Sequence, residues 1–589
     1  MDHLITLPVA LERAAKRTGY GFTFIRDDLT EESWTWERLL ERAKQIAVSL
    51  HERGIRKGDH IAVVLPEAGE FVPTFFGITQ AGAVPVPLYP PMGVGQLGGY
   101  LDHCKHIVSA SRSKLMVTTR QIKAVLGKVH EAAPELKDMI TVADLDGDAS
   151  RFKDPGLSLS DTCFIQFTSG STNKPKGVVV THENLAHNAY AVMRDGLNSN
   201  DEDRGVSWLP LFHDMGLIGF VLGPTHHVVP VTFMSPMTFL KKPAVWLQVL
   251  SKHRGTITYG PNFSYAITAK RVRDNDLAGV DLSCVRVAGC GAEPIQAETL
   301  RGFADRFARW GFKKSAFVPS YGMAEYTLAI AFSTDVPTDR VVAEDLWTRG
   351  EAVPAPEGAG SNETVEIVHC GKAFPKHGIR IVDVESRAVL PDRRVGEIEV
   401  SGPSVMQGYY EMPDETGSTI GKDGWMRTGD LGYLVDGNIF ICGRKKDVII
   451  VNGKNYYPQD LEWAGGEVSG VRPGNVIAFP SFKEGLGREA VVVVAESKEP
   501  NVDRDKLASD IKAHISTVTG LTVDEVVVVD AGTIPKTSSG KLQRAKARVL
   551  YEQGELKKKE AEGTLKVASR IVESQLAHLK LGIFGKKKS

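Results

Sequence analysis

The strongest constraint on this chain is a repeated switch of apolar period. "WTWERLLERAKQIAVSLHERGI" (34–55) spaces its apolar residues as one face of a helix, and "DHIAVVLP" (59–66) follows as a short buried strand. The same alternation continues through "KLMVTT", "ITVADL", "TCFIQFTSGS", "GTITYGP" and "CVRVAGCGAEP". Strand, loop and helix in series predict an α/β fold with largely parallel sheets. From about residue 365 the texture changes to short strands with Gly/Asp turns: "VEIVHCG", "GIRIVDVES", "GEIEVSGP" and "GNIFICGRKKDVIIVNG". These predict a barrel or an antiparallel patch. After Arg444, "GNVIAFP", "EAVVVVAES", a helix "DRDKLASDIKAHISTVTG" and "EVVVVDAGTIP" predict a small α+β unit, with the boundary at 444–447.

Some stretches stand outside this pattern. Segment 333–364 is rich in Pro, Gly and acids, lacks clear periodicity, and is expected to be a surface insertion. The end, "LGIFGKKKS", is a basic tail. The run Met215–Leu240 is free of Lys, Arg, Asp and Glu and long enough to span a bilayer. Gly223-Pro224, His226-His227 and two further prolines interrupt it, so a helix, turn and strand inside a core are expected. The N-terminus lacks a basic start followed by a long apolar core, which argues against a secretory signal.

The 589 residues allow two to four domains with ample core. A net charge of −1 provides no global field for nucleic acid or acidic membranes. The six cysteines show no CxxC spacing, which reads as reduced cytoplasmic thiols.

The most informative local stretch is "FTSGSTNKPKG" (Phe167–Gly177). Small residues let backbone N–H groups crowd around an anion, hydroxyls add donors, and two lysines add charge. An acid there would repel phosphate, and none is present. It is not a Walker A loop, because no Gly-Lys pair in the chain is followed by the Ser or Thr that holds magnesium. On composition alone the stretch fits equally well a polar turn between two strands. Three other matches carry no function. "GVGQLG" (93–98) has prolines before it and no acid about 20 residues on. "HENLAH" (182–187) spaces its histidines too far apart for one helical face to present both to zinc. No G-x-S-x-G occurs.

Five dispersed motifs resemble those of the adenylate-forming superfamily, which includes acyl-CoA synthetases, luciferases, peptide-synthetase adenylation domains and fatty acyl-AMP ligases. They are "TSGSTNKPKGV", "YGMAE" (321–325), "TGD" (428–430), "CGRKKD" (442–447) and "PKTSSGKLQR" (535–544). The resemblance implies a large N-terminal domain over 1–444, made of two doubly wound α/β subdomains plus a distorted β-barrel. A small mobile α+β domain over 445–589 would follow it. It also implies ATP and Mg2+ as cofactors, and attack of a carboxylate on the α-phosphate of ATP. Two anions must then approach each other, so cations are needed between them.

The same resemblance assigns expected roles. Thr168, Ser169, Gly170, Ser171, Thr172 and Lys176 would hold the β- and γ-phosphates. Glu325, with Thr168, would hold magnesium, although Glu325 also fits a charge at a helix N-terminus. Tyr321 would stack on adenine, with Gly291 and Ala292 opposite; the alternative is an ordinary core tyrosine. Asp430 would accept from both ribose hydroxyls, or be a turn aspartate beside Gly429. Arg444 would reach the ribose or phosphate. Glu293, Ser320, Gly322, Met323, Ala324, Ile441 and Lys446 would complete the nucleotide site. Lys541 would reach the α-phosphate and carboxylate oxygens as charge builds, or be an exposed loop lysine. His213 of "LPLFHDMG" would orient the acyl carboxylate or serve only the structure. Where many relatives carry Thr-Glu this chain has Ala324-Glu325, which removes a hydroxyl contact and weakens the analogy with CoA synthetases.

"VPLYPP", "GPNFSYAI", "GAEP", "YGMAE" and "GKNYYPQDLE" resemble the fatty acyl-AMP ligase branch, as does the place of the 333–364 insertion. That branch passes its acyl group to an acyl carrier protein, or to a carrier domain of a polyketide synthase or peptide synthetase. The resemblance implies that its insertion restrains the small domain, so that CoA is a poor acceptor, and places Lys446 at the pivot. Residues 215–240 and "GPNFSYAI" would line an acyl tunnel for a medium- or long-chain fatty acid. The alternatives are a fatty acyl-CoA ligase, or an inactive adenylate-binding regulatory module. The presence of Lys541, Glu325 and Asp430 argues against the second.

Overall fold

The computed structural model describes residues 3–91, 97–127, 129–168, 175–360, 363–451, 454–483, 488–537 and 540–556. Two parallel sheets form the N-terminal half. The first is four-stranded, in the order Val84–Pro87, His60–Val64, Leu115–Thr118, Asp138–Thr141. The second is nine-stranded. At its centre Phe317–Gly322, Val287–Cys290, Ile257–Gly260, Gly205–Ser207, Val231–Met234 and Gly21–Ile25 run parallel. Antiparallel strands close both of its edges. Apolar helices cover these sheets, which is why the strands read as continuous apolar runs rather than alternating ones. The helix predicted in 34–55 is observed at Trp36–Glu52, started by Thr35, whose hydroxyl accepts from Arg38 N at 3.1 Å.

The apolar run Met215–Leu240 folds as expected into helix, turn and strand. Helical turns over Asp214–His227 end at Val228, which is left-handed with φ 58°, and Val231–Met234 enters the sheet. Two segments in this region, Ala191–Gly196 and Ile218–Leu222, are π-helical. No helix among the described residues is long and apolar enough to cross a membrane.

Of the two readings of residues 378–444, the structure shows the antiparallel patch and not the barrel. Gly378–Val382, Gly396–Ser401, Met426–Val435 and Asn438–Arg444 form a four-stranded antiparallel sheet that does not close on itself. The strands are short and their Gly/Asp turns connect neighbours, so the sequence specifies hairpins but not closure. Beyond Arg444 a three-stranded sheet, Val471–Lys483, Arg488–Ser497 and Glu525–Val529, packs against helices Pro458–Glu467 and Arg504–Thr519.

The segment expected to be an irregular surface insertion is partly ordered. Thr338–Val342 pairs antiparallel with Thr364–Val368, and a helix spans Ala343–Arg349. Leu346 and Trp347 are buried. The Trp347 ring lies 5.2 Å from that of Tyr456, and Glu344 accepts from Lys454 Nζ at 2.5 Å. The insertion thus shares one apolar core with Leu461, Val471 and Val491 of the C-terminal unit. A seven-residue helix is too short to show a period, so the sequence does not announce it.

Candidate active site

The two α/β sheets, the antiparallel sheet and the C-terminal unit meet around one cleft of about 3590 Å3. That is several times the volume of an ordinary small-ligand site, enough for a nucleotide and an extended second substrate. Thr168, Lys176, His213, Glu325, Asp430 and Lys541 all line it. So do Gly291, Ala292, Glu293, Ser320, Tyr321, Gly322, Met323, Ala324, Ile441, Arg444 and Lys446. Ser169, Gly170, Ser171 and Thr172 lie outside the described residues.

Strands Thr162–Thr168 and Lys176–Thr181 pair antiparallel and bring Thr168 opposite Lys176. A Cβ at Gly177 would sit 2.9 Å from the Ile165 side chain and 3.0 Å from the Phe167 ring, so any larger residue after the lysine would push on both. Thr168 Oγ1 is buried with no hydrogen-bond partner among the described residues. A buried hydroxyl without a partner costs about 1–3 kcal/mol, and a ligand oxygen or cation there would remove that cost.

The parallel strands Val287–Cys290 and Phe317–Gly322 end side by side at the same rim, where α/β sheets present ligand sites. Glycine is needed at both ends. A Cβ on Gly291 would meet Ser320 O at 2.8 Å, and one on Gly322 would meet Leu328 O at 2.1 Å. Tyr321 is almost fully buried and its Oη donates to Asp430 Oδ2 at 2.7 Å. Arg444 Nε lies 3.2 Å from Asp430 Oδ1. Asp430 N also donates to Thr428 Oγ1 at 3.1 Å. The predicted aromatic, acid and base therefore form one cluster, with spare lone pairs on Asp430 for ribose hydroxyls.

Glu325 sits in the turn that follows. Burial pushes its carboxyl up, and Tyr409 Oη, donating to Oε1 at 3.0 Å, opposes that shift. Among the described residues no group of three or more His, Cys, Asp or Glu is arranged to hold a metal. One carboxylate with the Thr168 hydroxyl, which has no partner among the described residues, fits in the same cleft a hard cation that takes its other oxygens from nucleotide phosphates and water.

Lys541 enters from the C-terminal unit. Its backbone N–H donates to Thr537 Oγ1 at 3.0 Å, and the neighbouring Gly540 lies against Phe263. It faces His213, Asp214 and Glu293. Burial, with the Lys541 cation nearby, pushes the His213 imidazole down to about 3, so it is neutral at physiological pH. Burial pushes Asp214 and Glu293 up, opposed by the same lysine. Glu293 accepts from Phe263 N at 2.7 Å, so it braces the helix beginning at Asn262. Beyond His213 the cleft wall is apolar, with Met193, Trp208, Phe220, Val229, Phe263 and Leu328.

Tyr409, Asp214 and Lys536 also belong to the site but carried no assignment from sequence. Lys536 sits inside the "PKTSSGK" motif and was within reach of that reading. Tyr409 gave no signal, because its place depends on pairing of Gly408–Tyr409 with Val178–Val179, far away in the chain.

The strand-end rim, Thr168 with Lys176, the Tyr321–Asp430–Arg444 cluster and Lys541 all face this one cleft, the arrangement that an ATP-using, adenylate-forming ligase needs. The profile of the AMP-binding enzyme family matches residues 11–410, and the chain belongs to that family. It is 34% identical over 575 residues to the long-chain-fatty-acid–AMP ligase FadD32 of Mycolicibacterium smegmatis, covering 89% of each. It is 37% identical over 555 residues to a Caulobacter vibrioides protein with the provisional name acyl-CoA synthetase, covering 93% of this chain and 96% of that one. A solved structure from a study of fatty acyl-adenylate ligases of E. coli and L. pneumophila superposes with a TM-score of 0.86. It is 35% identical and covers 93% of this chain and 98% of its own. Within the family the resemblance therefore falls on the fatty acyl-AMP ligases.

Proposed function

We propose that this protein activates a medium- or long-chain fatty acid with ATP and passes the acyl group to the phosphopantetheine thiol of an acyl carrier protein. The observation that carries this reading is the meeting of Thr168, Lys176, Glu325, Asp430 and Lys541 in one cleft with an apolar extension. In the first step a carboxylate oxygen bonds to the α-phosphorus, the bond to the bridging oxygen of the β-phosphate breaks, and pyrophosphate leaves. In the second, the thiol sulfur attacks the acyl carbon, its proton is lost, and AMP leaves.

The chain's residues divide this work. Asp430 and Arg444 hold the ribose, and Tyr321 flanks the base. Thr168 and Lys176 hold the β- and γ-phosphates. Lys541 sits between the two approaching anions and offsets charge on the α-phosphoryl oxygens. His213, held neutral, donates or accepts a hydrogen bond at the acyl carboxylate without adding charge. Glu325 and Thr168 would hold Mg2+, which neutralises charge on the phosphates when bound. Pivoting at Lys446 exchanges Lys541 for another face of the C-terminal unit between the two steps. A medium-chain-fatty-acid–[acyl-carrier-protein] ligase, JamA of Moorena producens, is 33% identical over 571 residues and supports the carrier acceptor.

The experiment is ATP–pyrophosphate exchange with decanoate or dodecanoate, followed by thiol trapping with CoA against a phosphopantetheinylated carrier protein. Exchange with transfer to the carrier is expected. No exchange with fatty acids of any length would overturn the reading. Equal transfer to CoA would make the chain an acyl-CoA ligase, the reading that the Caulobacter relative's name favours.

A further inference from the structure

The function just proposed uses Lys176 and Glu325 on the same triphosphate but leaves open how two residues from separate parts of the chain are held together. The structure supplies a connector. The Tyr409 hydroxyl donates to Glu325 Oε1 at 3.0 Å, while Lys176 Nζ lies over the Tyr409 ring, 4.9 Å from its centroid. We propose that Tyr409 is a positioning residue that sets the triphosphate lysine and the Glu325 carboxylate as one unit, by its ring on one side and its hydroxyl on the other.

The backbone around it is built for this. Tyr409 pairs with Val178 and Gly408 with Val179, extending the hairpin that carries Lys176. Residues 176 and 178 share a face of their strand, so the Tyr409 ring reaches Lys176 as a diagonal cross-strand neighbour. Tyr410 N donates to Gly177 O at 2.8 Å, and Gln407 N to Val179 O at 3.0 Å. On the other side Met406 N donates to Glu325 O at 2.9 Å. The segment 406–410 is thus bonded to the lysine strand and to the glutamate turn within a few residues.

Its own geometry is fixed as well. Tyr409 N donates to Thr416 Oγ1 at 2.9 Å. Gly408 has φ 147°, and a Cβ there would lie 2.8 Å from Thr416 Cγ2. The glutamate turn is equally constrained: Thr327, fully buried, holds φ 63° and ψ −63° in a tight turn closed by Leu328 N to Tyr326 O at 2.7 Å. Its hydroxyl donates to Ser404 O at 2.8 Å. Such a turn is strained for a β-branched residue and persists only where the surroundings over-determine it. Residues 404–409 are those surroundings.

The test separates the triphosphate from the rest of the nucleotide. Calorimetric titration without fatty acid compares ATP with Mg2+ against AMP, for the parent chain, Tyr409→Phe and Tyr409→Leu. Tyr409→Phe keeps the ring under Lys176 and removes only the hydroxyl. Tyr409→Leu removes both. Tyr409→Phe should weaken ATP with Mg2+ by about tenfold, as loss of a hydrogen bond to a carboxylate implies, and Tyr409→Leu by more. AMP, held at the Tyr321–Asp430–Arg444 cluster, should bind all three alike. Exchange assays should show the half-saturating Mg2+ concentration rising while the KM for fatty acid stays put. Unchanged ATP binding in both variants overturns the proposal, as does equal weakening of ATP and AMP. The binding arm uses no acyl substrate, so an error about the fatty acid would not register as failure here.

Discussion

Trp347→Leu tests what the 333–364 insertion does. The substitution keeps an apolar side chain in the shared core but removes the ring 5.2 Å from Tyr456. An aromatic pair of this kind contributes about 1 kcal/mol beyond its buried area. The neighbouring Glu344–Lys454 pair is largely exposed on the Glu344 side, so it adds about 0.5 kcal/mol. Losing the first contact should raise the population released from the insertion roughly fivefold, and losing both in a Glu344→Gln/Trp347→Leu double variant roughly tenfold, at 1.36 kcal/mol per decade. Hydrogen exchange reads this directly, as reduced protection of the hairpin Ile449–Val451 and Lys454–Tyr456, whose strands pair with each other. If the insertion restrains the C-terminal unit against CoA, acyl transfer to CoA should rise by the same factor while pyrophosphate exchange holds steady. Unchanged protection of that hairpin would refute the reasoning. Raised exchange without greater CoA use would leave the contact real but unrelated to acceptor choice.

Lys541→Ala should lower pyrophosphate exchange by about 100-fold or more, the scale for removing a charge-stabilising group, while calorimetry shows AMP binding unchanged. Lys446→Pro should slow thioester formation and leave exchange nearly intact; equal loss of both steps would remove Lys446 as the pivot. Burial, with His227 and Arg13 nearby, pushes His226 down to about 3, below its unfolded value of about 6.5. The unfolded chain therefore takes up a proton first, and the His226 contribution, full above pH 6.5, is lost as pH falls toward 3. That amounts to about 2 kcal/mol by pH 5. Urea denaturation at pH 7.5 and pH 5 should show it, and His226→Leu should reduce the difference.

The sequence carried the α/β alternation, because strands buried on both faces and helices covering them leave unmistakable apolar periods. It carried the residues that line the cleft through local motifs: strand ends such as "SYGMAE" and hairpin stems around 168 and 176 keep their chemistry within a few positions. It did not carry closure of the 378–444 strands, since hairpin signals specify neighbours and say nothing of the final edge. Nor did it carry the order in the insertion, whose apolar contacts rest on a handful of residues such as Val341, Leu346 and Trp347. Tyr409 escaped for a related reason. Its two contacts come from strand pairing between distant segments, and a tyrosine after a glycine looks the same whether it fills a core or spans a site.

The pairing of Asp430 with Arg444 has a mechanical implication. The two residues face each other across a two-stranded ladder, and Arg444 is its last rung before the turn Lys445–Asp447. If Asp430 takes the ribose as proposed, a sugar hydroxyl competing for it would loosen the guanidinium on that rung, and departure of the nucleotide would let it clamp again. Occupancy of the proposed sugar pocket and stiffness of the proposed swivel would then be coupled at a single carboxylate, so that spent AMP and the angle of the C-terminal unit would report on each other without any longer relay.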